Sequence, residues 1–440
     1  MTAALLLIIF FVLIVIGAPV AVALGGSVIV TSLVMNPIPP AVIGQKVFAN
    51  LDHFTLMAVP FFFFAAALME TGGLVKRLVS LANSLVGHWR GGLGVTSVVS
   101  CVFFAAISGS SPATVAAIGQ IMFPALVKEG YSSRYAVGAI ATAGSIGILI
   151  PPSIPMIIYG FVTETSVARL FLAGVIPGLL YGLGMVIMAR LMAHRTNVRI
   201  RERLPWSSRW RLILSAAPAL SLPVIIIVGI YGFPEFEFLG IHYDGGAIFT
   251  PTEAAIIATC LALIIGLFVY RELNLKQAVS TIVRTAPNAG MIFFITTNAL
   301  LFAFFITKLG IPAAVTDYLI SLDMERWQFL LLVNLMLTIV GFFLEGVPTI
   351  LMFVPVLFPA AMEMGVDPVH FCIIVVLNIE LGLMTPPVGL NLFIGSSISK
   401  QPVIEVFKAA LPWMSVTVIM LFLVTFVPWI STFLPNLVYG

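Results

Sequence analysis

The 440-residue sequence is 60% hydrophobic and 9% charged, with a mean hydropathy of +1.15 and a formal net charge of +3. Soluble domains carry roughly 25% charged residues, so this composition excludes one and points to an all-α integral membrane protein; the long continuous apolar runs lack the period-two alternation of barrel strands. The charge is small and its positives are localised, so no nucleic-acid partner is indicated, and the scattered Cys101, Cys260 and Cys372 and five dispersed histidines lack the spacing of zinc or haem sites.

Taken in chain order, the first apolar run, 3–16, has no basic segment before it and leads directly into more apolar sequence, as a retained helix would. The stretch 3–36 reads as two passes, turning near Gly17-Ala-Pro19 or near Gly25-Gly26. Further apolar segments fall at 55–74, 92–127, 135–162, 170–193, 212–232, 250–270, 287–307, 328–362, 370–398 and 405–435. Of these, 92–127 and 328–362 are too long for one ordinary span of about 20 residues, and each is broken in its middle by Gly, Ser or Pro. A re-entrant helical hairpin, entering and leaving by one face, accounts for both.

An internal repeat relates the two. Sliding the chain on itself by 235 positions (386 minus 151) matches Thr114 to Thr349, Pro124 to Pro359, Gly130 to Gly365, Gly147 to Gly382, Pro151-Pro152 to Pro386-Pro387 and Pro177 to Pro412. Four of the six prolines between 109 and 180 land on proline, where about 5% proline usage predicts well under one, so duplication is the expected origin. The expected domains are a first repeat at 1–211 and a second at 212–440.

Basic residues set the expected orientation. Arg195, Arg199, Arg201, Arg203, Arg209 and Arg211 mark a cytoplasmic loop, with Trp206 and Trp210 as interfacial anchors, whereas the loop from Pro234 to Gly246 carries Glu235, Glu237 and Asp244 and no lysine or arginine. Counting passes from these anchors places the base of the first hairpin in the cytoplasm and that of the second outside. The repeats are then inverted, with about ten crossings and both termini external. Inverted repeats with broken helices meeting near the midplane are the architecture of secondary transporters.

The candidate site lies at the breaks, because freed backbone groups at membrane depth survive only where protein or a polar cavity receives them. In the first half, Ser108, Ser110, Ser111 and Thr114 at the hairpin tip accompany Gly147-Ile-Leu-Ile-Pro-Pro-Ser153. Pro151 and Pro152 lack amide protons, so carbonyls near Gly147 and Ile148 lose helical partners and become hard oxygen donors suited to Na⁺. In the second half, Gly341, Glu345 and Thr349 accompany Gly382, Thr385, Val388 and Asn391, where Glu345 replaces Ser110 and Asn391 replaces Met156 under the shift. That inequality marks the second copy as the expected substrate side. Close packing by small residues and capping of a helix end by Glu345 are the blander readings. Glu345 and Glu380, acids inside apolar segments, are candidate functional groups, and neither tip carries a basic residue to meet an anion.

At these motifs the chain resembles the large membrane subunit of tripartite ATP-independent periplasmic (TRAP) transporters, the DctM-like family. The resemblance covers essentially the whole chain and is carried by Gly17-Ala-Pro-Val-Ala-Val-Ala-Leu24, Ser108-Gly-Ser-Ser-Pro-Ala-Thr-Val-Ala-Ala-Ile-Gly119, Gly147-Ile-Leu-Ile-Pro-Pro-Ser153 and Thr385-Pro-Pro-Val-Gly-Leu-Asn391. It implies an elevator-type, sodium-driven, multi-pass transporter of the bacterial inner membrane. It also implies a soluble periplasmic substrate-binding protein and a small four-helix membrane subunit as partners, and a small organic acid, usually a carboxylate, as substrate. Carried over by position, the resemblance implies Ser108, Gly147, Ile150 and Pro152 for a first sodium and Gly341, Gly382, Thr385 and Val388 for a second, mostly through backbone carbonyls. Ser110, Ser111, Thr114, Glu345, Thr349 and Asn391 are the expected substrate residues. Ala105 departs from the pattern, standing where some members carry a hydroxyl. A stand-alone sodium/dicarboxylate symporter, a membrane-embedded enzyme and a channel are the alternatives, and no nucleophile or metal cluster accompanies the two acids to favour the enzyme.

Overall fold

Glycines and prolines cut the apolar sequence into helices at the positions the physical chemistry demands. The computed structural model describes residues 2–35, 38–193, 202–232, 236–238, 241–243 and 246–440. Helices α1 (Thr2–Val15) and α2 (Val20–Met35) turn at Gly17, whose φ of +84° favours glycine. Gly25 and Gly26 instead lie inside α2, where a Cβ on Gly25 would fall 1.9 Å from Asn298 Oδ1, so they serve packing and not the turn. Then follow α3 (Pro40–Leu51), a 3₁₀ turn (Phe54–Met57) leading into α4 (Ala58–Thr71), α5 (Leu74–Val86), α6 (Gly92–Ser108), α7 (Ser111–Lys128), α8 (Ser133–Ala143) prolonged by a 3₁₀ turn (Gly144–Ile148), α9 (Ile154–Thr163) and α10 (Val167–Ala193).

The second half begins with α11 (Trp206–Tyr231), and two short antiparallel strands, β1 (Phe236–Phe238) and β2 (Ile241–Tyr243), pair with Phe236 opposite Tyr243. Next come α12 (Pro251–Ile264), ending in a π-helical turn (Ile265–Val269), α13 (Leu275–Lys308), α14 (Ile311–Ser321), α15 (Arg326–Gly341), α16 (Gly346–Glu363), α17 (Pro368–Leu383), α18 (Leu390–Ser399), α19 (Val403–Phe426) and α20 (Trp429–Tyr439). Of the orientation markers, Arg195, Arg199, Arg201, Glu235 and Asp244 lie outside the described residues. Trp206 and Trp210 are 67% and 52% exposed.

Seven helices among the described residues are long and apolar enough to cross a bilayer alone, and α1, α2, α6, α9, α15, α17 and α18 are apolar but only 10–17 residues long. At 1.5 Å per residue, about 20 residues are needed to span the hydrocarbon core, and most of the shorter helices fall below that length. Hydropathy misses α3, α5 and α14, because their polar faces dilute the apolar stripe. It also starts α13 late: residues 275–286 include Lys276, Gln277 and Arg284, yet an Asn274–Gln277 capping box begins the helix at Leu275.

The repeat is visible in the helix bounds. Adding 235 to Ser111 and Lys128 gives Gly346 and Glu363, the ends of α16, and adding it to Ser133 gives Pro368, the start of α17. Packing follows the same correspondence, with partners exchanged between halves. α7 packs against α18 while its counterpart α16 packs against α9, and α2 packs against α13 while α12 packs against α4. Helices α1–α4 and α11–α13 form one group of contacts, and α6–α10 with α15–α20 form another; α5 and α14 touch both, and the groups also meet directly where α13 packs on α16 and α4 on α6. Arg77 on α5 pairs with Glu272 at 2.6 Å and lies 3.8 Å over the Tyr270 ring, fastening α5 to the α12–α13 connection. Outward faces carry exposed residues such as Phe11, Leu33, Phe268, Ile419 and Phe422, which a hydrocarbon environment tolerates and water would not.

Candidate functional site

Each half builds its break in the same way. In the first, α6 ends at Gly109, whose φ of +60° reverses the chain, and Ser110 caps α7 by accepting from Ala113 N at 3.5 Å. In the second, α15 ends at Gly341 and Glu345 takes the cap position of α16 without a side-chain cap bond. Thr114 Oγ1 donates to Ser110 O at 2.9 Å, and Thr349 Oγ1 donates to Glu345 O at 2.8 Å, the same hydrogen bond 235 residues on. A backbone bond ties each tip to its partner break: Ile154 N to Gly109 O at 3.1 Å, and Val388 N to Phe342 O at 3.1 Å. Both Pro151-Pro152 and Pro386-Pro387 are cis.

Of the four residues expected at a first sodium, the contacts join Ser108 and Gly147 through Thr114 and Ser110. Ser108 Oγ lies 2.8 Å from Thr114 Oγ1 and donates to Ser110 O at 3.4 Å. Gly147 abuts the same group, since a Cβ there would lie 2.6 Å from Thr114 Oγ1 and 2.8 Å from Ser110 O. Gly109 touches the Pro152 carbonyl in the same sense, at 2.8 Å, and Ile150 packs against Gly178 of α10. The second set is joined by a backbone contact, with a Cβ on Gly382 falling 2.6 Å from Gly341 Cα and O. Thr385 N donates to Gly382 O at 2.9 Å and Thr385 Oγ1 donates to Leu381 O at 2.7 Å. Val388 N reaches Phe342 O, the residue after Gly341.

Burial separates the copies. Ser108, Gly147, Ile150 and Pro152 are all buried, whereas Thr385 and Val388 in the second set and Ser110 and Glu345 at the two tips are partly accessible. Among the expected substrate residues, Ser111, Thr114, Thr349 and Asn391 are buried and already hydrogen-bonded. Ser111 is the bridge between halves, donating to Glu380 Oε2 at 3.1 Å and accepting from Asn391 Nδ2 at 2.7 Å. Ala105, where a hydroxyl was in question, accepts the Gly109 amide through its carbonyl at 3.5 Å.

Two groups enter the site without having been singled out as ligands. Ser145 donates to Met384 Sδ at 3.3 Å and also faces the Glu380 carboxyl. It is the repeat counterpart of Glu380, so counterpart positions meet where the halves meet; that equivalence is the sequence signal that could have found it. Asn378 of α17 donates to Asn334 Oδ1 at 2.8 Å and accepts from Thr338 Oγ1 at 2.9 Å.

Residues 7–430 match the family described as Tripartite ATP-independent periplasmic transporter, DctM component. The chain belongs to this family. As a TRAP large permease component it is a multi-pass membrane protein, and its relatives are permease subunits, not enzymes. It is 43% identical over 417 residues to the C4-dicarboxylate TRAP transporter large permease protein DctM of Pseudomonas aeruginosa, covering 94% of each chain. To the isethionate TRAP transporter permease protein DctMQ of Oleidesulfovibrio alaskensis it is 36% identical, over 96% of this chain and 65% of that one. The fold of this TRAP permease is similar to the crystal structure of the Alcanivorax borkumensis YdaH transporter, with a TM-score of 0.62 over 89% and 88% of the two chains at 15% identity.

Proposed function

We propose that the protein is the sodium-coupled membrane subunit of a transporter for a small organic acid, delivered by a periplasmic substrate-binding protein and moved by an elevator mechanism across the bacterial inner membrane. The observation that carries this reading is the paired break. Two oxygen-rich tips with the same internal hydrogen bond sit on two Pro-Pro breaks 235 residues apart, and a dehydrated Na⁺ needs that kind of hard-oxygen surface at membrane depth. The α6–α7 and α15–α16 pairs act as re-entrant hairpins of inverted repeats at 1–211 and 212–440. Ser108, Gly147, Ile150 and Pro152 hold one ion, and Gly341, Gly382, Thr385 and Val388 hold the other.

The substrate lies on the more open side, near Ser110, Glu345 and Thr385. Neither tip carries a lysine or arginine, so helix amino ends and bound Na⁺ supply the positive charge that an acid needs. The names of the relatives, which refer to a C4-dicarboxylate and to isethionate, favour small organic anions. The fused DctMQ name supports a small membrane subunit as a partner of the scaffold group α1–α4 and α11–α13.

The test is uptake of a radiolabelled C4-dicarboxylate into proteoliposomes holding this chain and its small subunit, with and without the cognate binding protein and a sodium gradient. Both are expected to be required. Uptake of the same rate without the binding protein would leave a stand-alone symporter, and uptake indifferent to sodium would remove the coupling. Thr385→Ala is expected to raise the half-saturating sodium concentration about tenfold, the effect of losing one ligand contact of roughly 1.4 kcal/mol. An unchanged sodium dependence would remove the second site.

A further inference from the structure

Arg209, in the first turn of α11, is only 4% exposed, and no carboxylate pairs with it among the described residues. Its Nε has no hydrogen-bond partner, and its Nη2 lies 3.5 Å from Nδ1 of the half-buried His88 ring. A guanidinium keeps its charge at every pH a protein survives, so it cannot shed a proton to relieve burial as a buried carboxyl or amine does. Arginine is for that reason almost never buried without a counter-charge. The deficit of negative charge at this corner of the fold calls for an anion.

The neighbouring groups suit one. Asn83 and His88 at the end of α5, with Glu202 and Leu204 ahead of α11, line a cavity of about 90 Å³. With His88 Nδ1 accepting from Arg209, the ring carries its proton on Nε2, a second donor for an anionic oxygen. Desolvation, Arg209 and Arg203 hold the His88 imidazole below its ordinary pKa, so a second guanidinium charge acts on the same cavity. Asn83 Oδ1 has no partner, and a half-turn of the amide presents Nδ2 instead. α11 starts at Pro205 without a side-chain cap, so its first amides add positive potential at the same end. Glu202 is the one acid on the cavity wall, and it is exposed and makes no ion pair with Arg209.

We propose that Arg209 and His88 form the floor of a binding site for the phosphate of an anionic phospholipid, seated between the end of α5 and the start of α11. A planar guanidinium fork matches the oxygens of a phosphodiester, and basic pockets between membrane helices are where such headgroups bind. What favours a lipid over a soluble phosphate is the surface beside the cavity. Trp206, Trp210 and Leu214 are all exposed and recur every four residues along α11, an apolar track leading from the arginine down a helix long enough to span the bilayer. A headgroup phosphate at Arg209 would lay its acyl chains along that track. The consequence is mechanical, because α5 packs on α11 in one group of helices and on α6 in the other. A lipid bound here fixes the α11 side of that bridging helix.

The experiment uses the full-length chain, delipidated in a neutral detergent, alone and with its small subunit. Phosphatidylglycerol, phosphatidylcholine of the same acyl chains and inorganic phosphate are added in turn, and bound lipid is counted by native mass spectrometry beside the melting temperature. Phosphatidylglycerol is expected to raise the melting temperature and to be retained about tenfold more tightly than phosphatidylcholine, with no effect of inorganic phosphate. Arg209→Gln should remove that preference, whereas Arg211→Gln, which deletes an exposed charge two residues on, should keep it. If Arg209→Gln does not fold, His88→Ala serves, and a severalfold weaker retention of phosphatidylglycerol is expected. Equal retention of the two lipids would overturn the proposal, as would undiminished preference in Arg209→Gln or His88→Ala. Equal losses in Arg209→Gln and Arg211→Gln would leave only diffuse surface charge. The same stabilisation by inorganic phosphate would make the site one for a soluble anion. Loss of the lipid effect in the presence of the small subunit would make a protein carboxylate the counter-charge, and would likewise overturn it.

Discussion

Gly382→Ala is expected to abolish transport, with a loss of well over tenfold, and to destabilise the protein by about 3 kcal/mol, the upper end of the usual cost of overpacking. The reason is the identity of the atoms in the way. A Cβ on Gly382 would lie 2.6 Å from both Gly341 Cα and Gly341 O and 2.7 Å from its carbonyl carbon, so α15 itself must move, whereas a flexible side chain could simply turn aside. The same two glycines bring the second tip onto its break, and small residues are how membrane helices approach this closely. Any ion held by the Gly341 and Gly382 carbonyls would lose its geometry with the first few tenths of an ångström. Gly290→Ala on α13 is the control, because a Cβ there meets nothing within 4 Å, and it should be neutral or slightly stabilising. Thermal unfolding in detergent and reconstituted uptake read the two effects separately. Wild-type uptake in Gly382→Ala would show that the glycine contact has slack and that the second site is not built on it.

Gly147→Ala in the first half should be milder. Its Cβ would meet Thr114 Oγ1 at 2.6 Å as well as Ser110 O at 2.8 Å, and a hydroxyl can rotate where a backbone cannot. The inequality of the two copies, read first from Glu345 and Asn391, therefore extends to how rigidly each tip is seated.

The breaks were legible in the sequence because proline and glycine leave their marks without any tertiary context. Pro151-Pro152 and Pro386-Pro387 end helices wherever they fall, and the shift of 235 aligned not only those residues but the ends of α7 and α16. Hydropathy alone did less well with α3, α5 and α14, whose half-polar faces average out in any window. It could not choose between Gly17 and Gly25 as a turn; the close contact of Gly25 with Asn298, far along the chain, is the reason a glycine stands there inside a helix. The site was legible as a set of positions but not as a set of partners. Ser111 and Asn391 were candidates for substrate, and nothing along the chain could reveal that they meet each other and Glu380 across the two halves. Such pairings follow from the exchange of packing partners between repeats, a property of the assembled fold.

The largest stability effect away from the glycines is expected at Asn378. Its amide donates to Asn334 Oδ1 at 2.8 Å and to Ile374 O at 2.9 Å, its carbonyl accepts from Thr338 Oγ1 at 2.9 Å, and Asn334 in turn donates to Thr425 Oγ1 at 2.9 Å. This network joins α15, α17 and α19, and its counterpart under the shift is Ala143, so only the second half is tied in this way. Interhelical hydrogen bonds in membranes average about 0.6 kcal/mol, which for the two bonds from Asn378 to α15 gives little more than 1 kcal/mol. Truncation does more, because it leaves Asn334 Oδ1 and Thr338 Oγ1 buried or half-buried without those partners and opens a small cavity, so Asn378→Ala should cost about 2 kcal/mol. Asn334→Ala should cost a similar amount, and the double variant much less than the sum, since both residues belong to one network. Unfolding measured by chemical or thermal denaturation in detergent provides the cycle. Strict additivity of the two single effects would mean that the asparagines act independently and that α15 is held to α17 by the glycine contact alone.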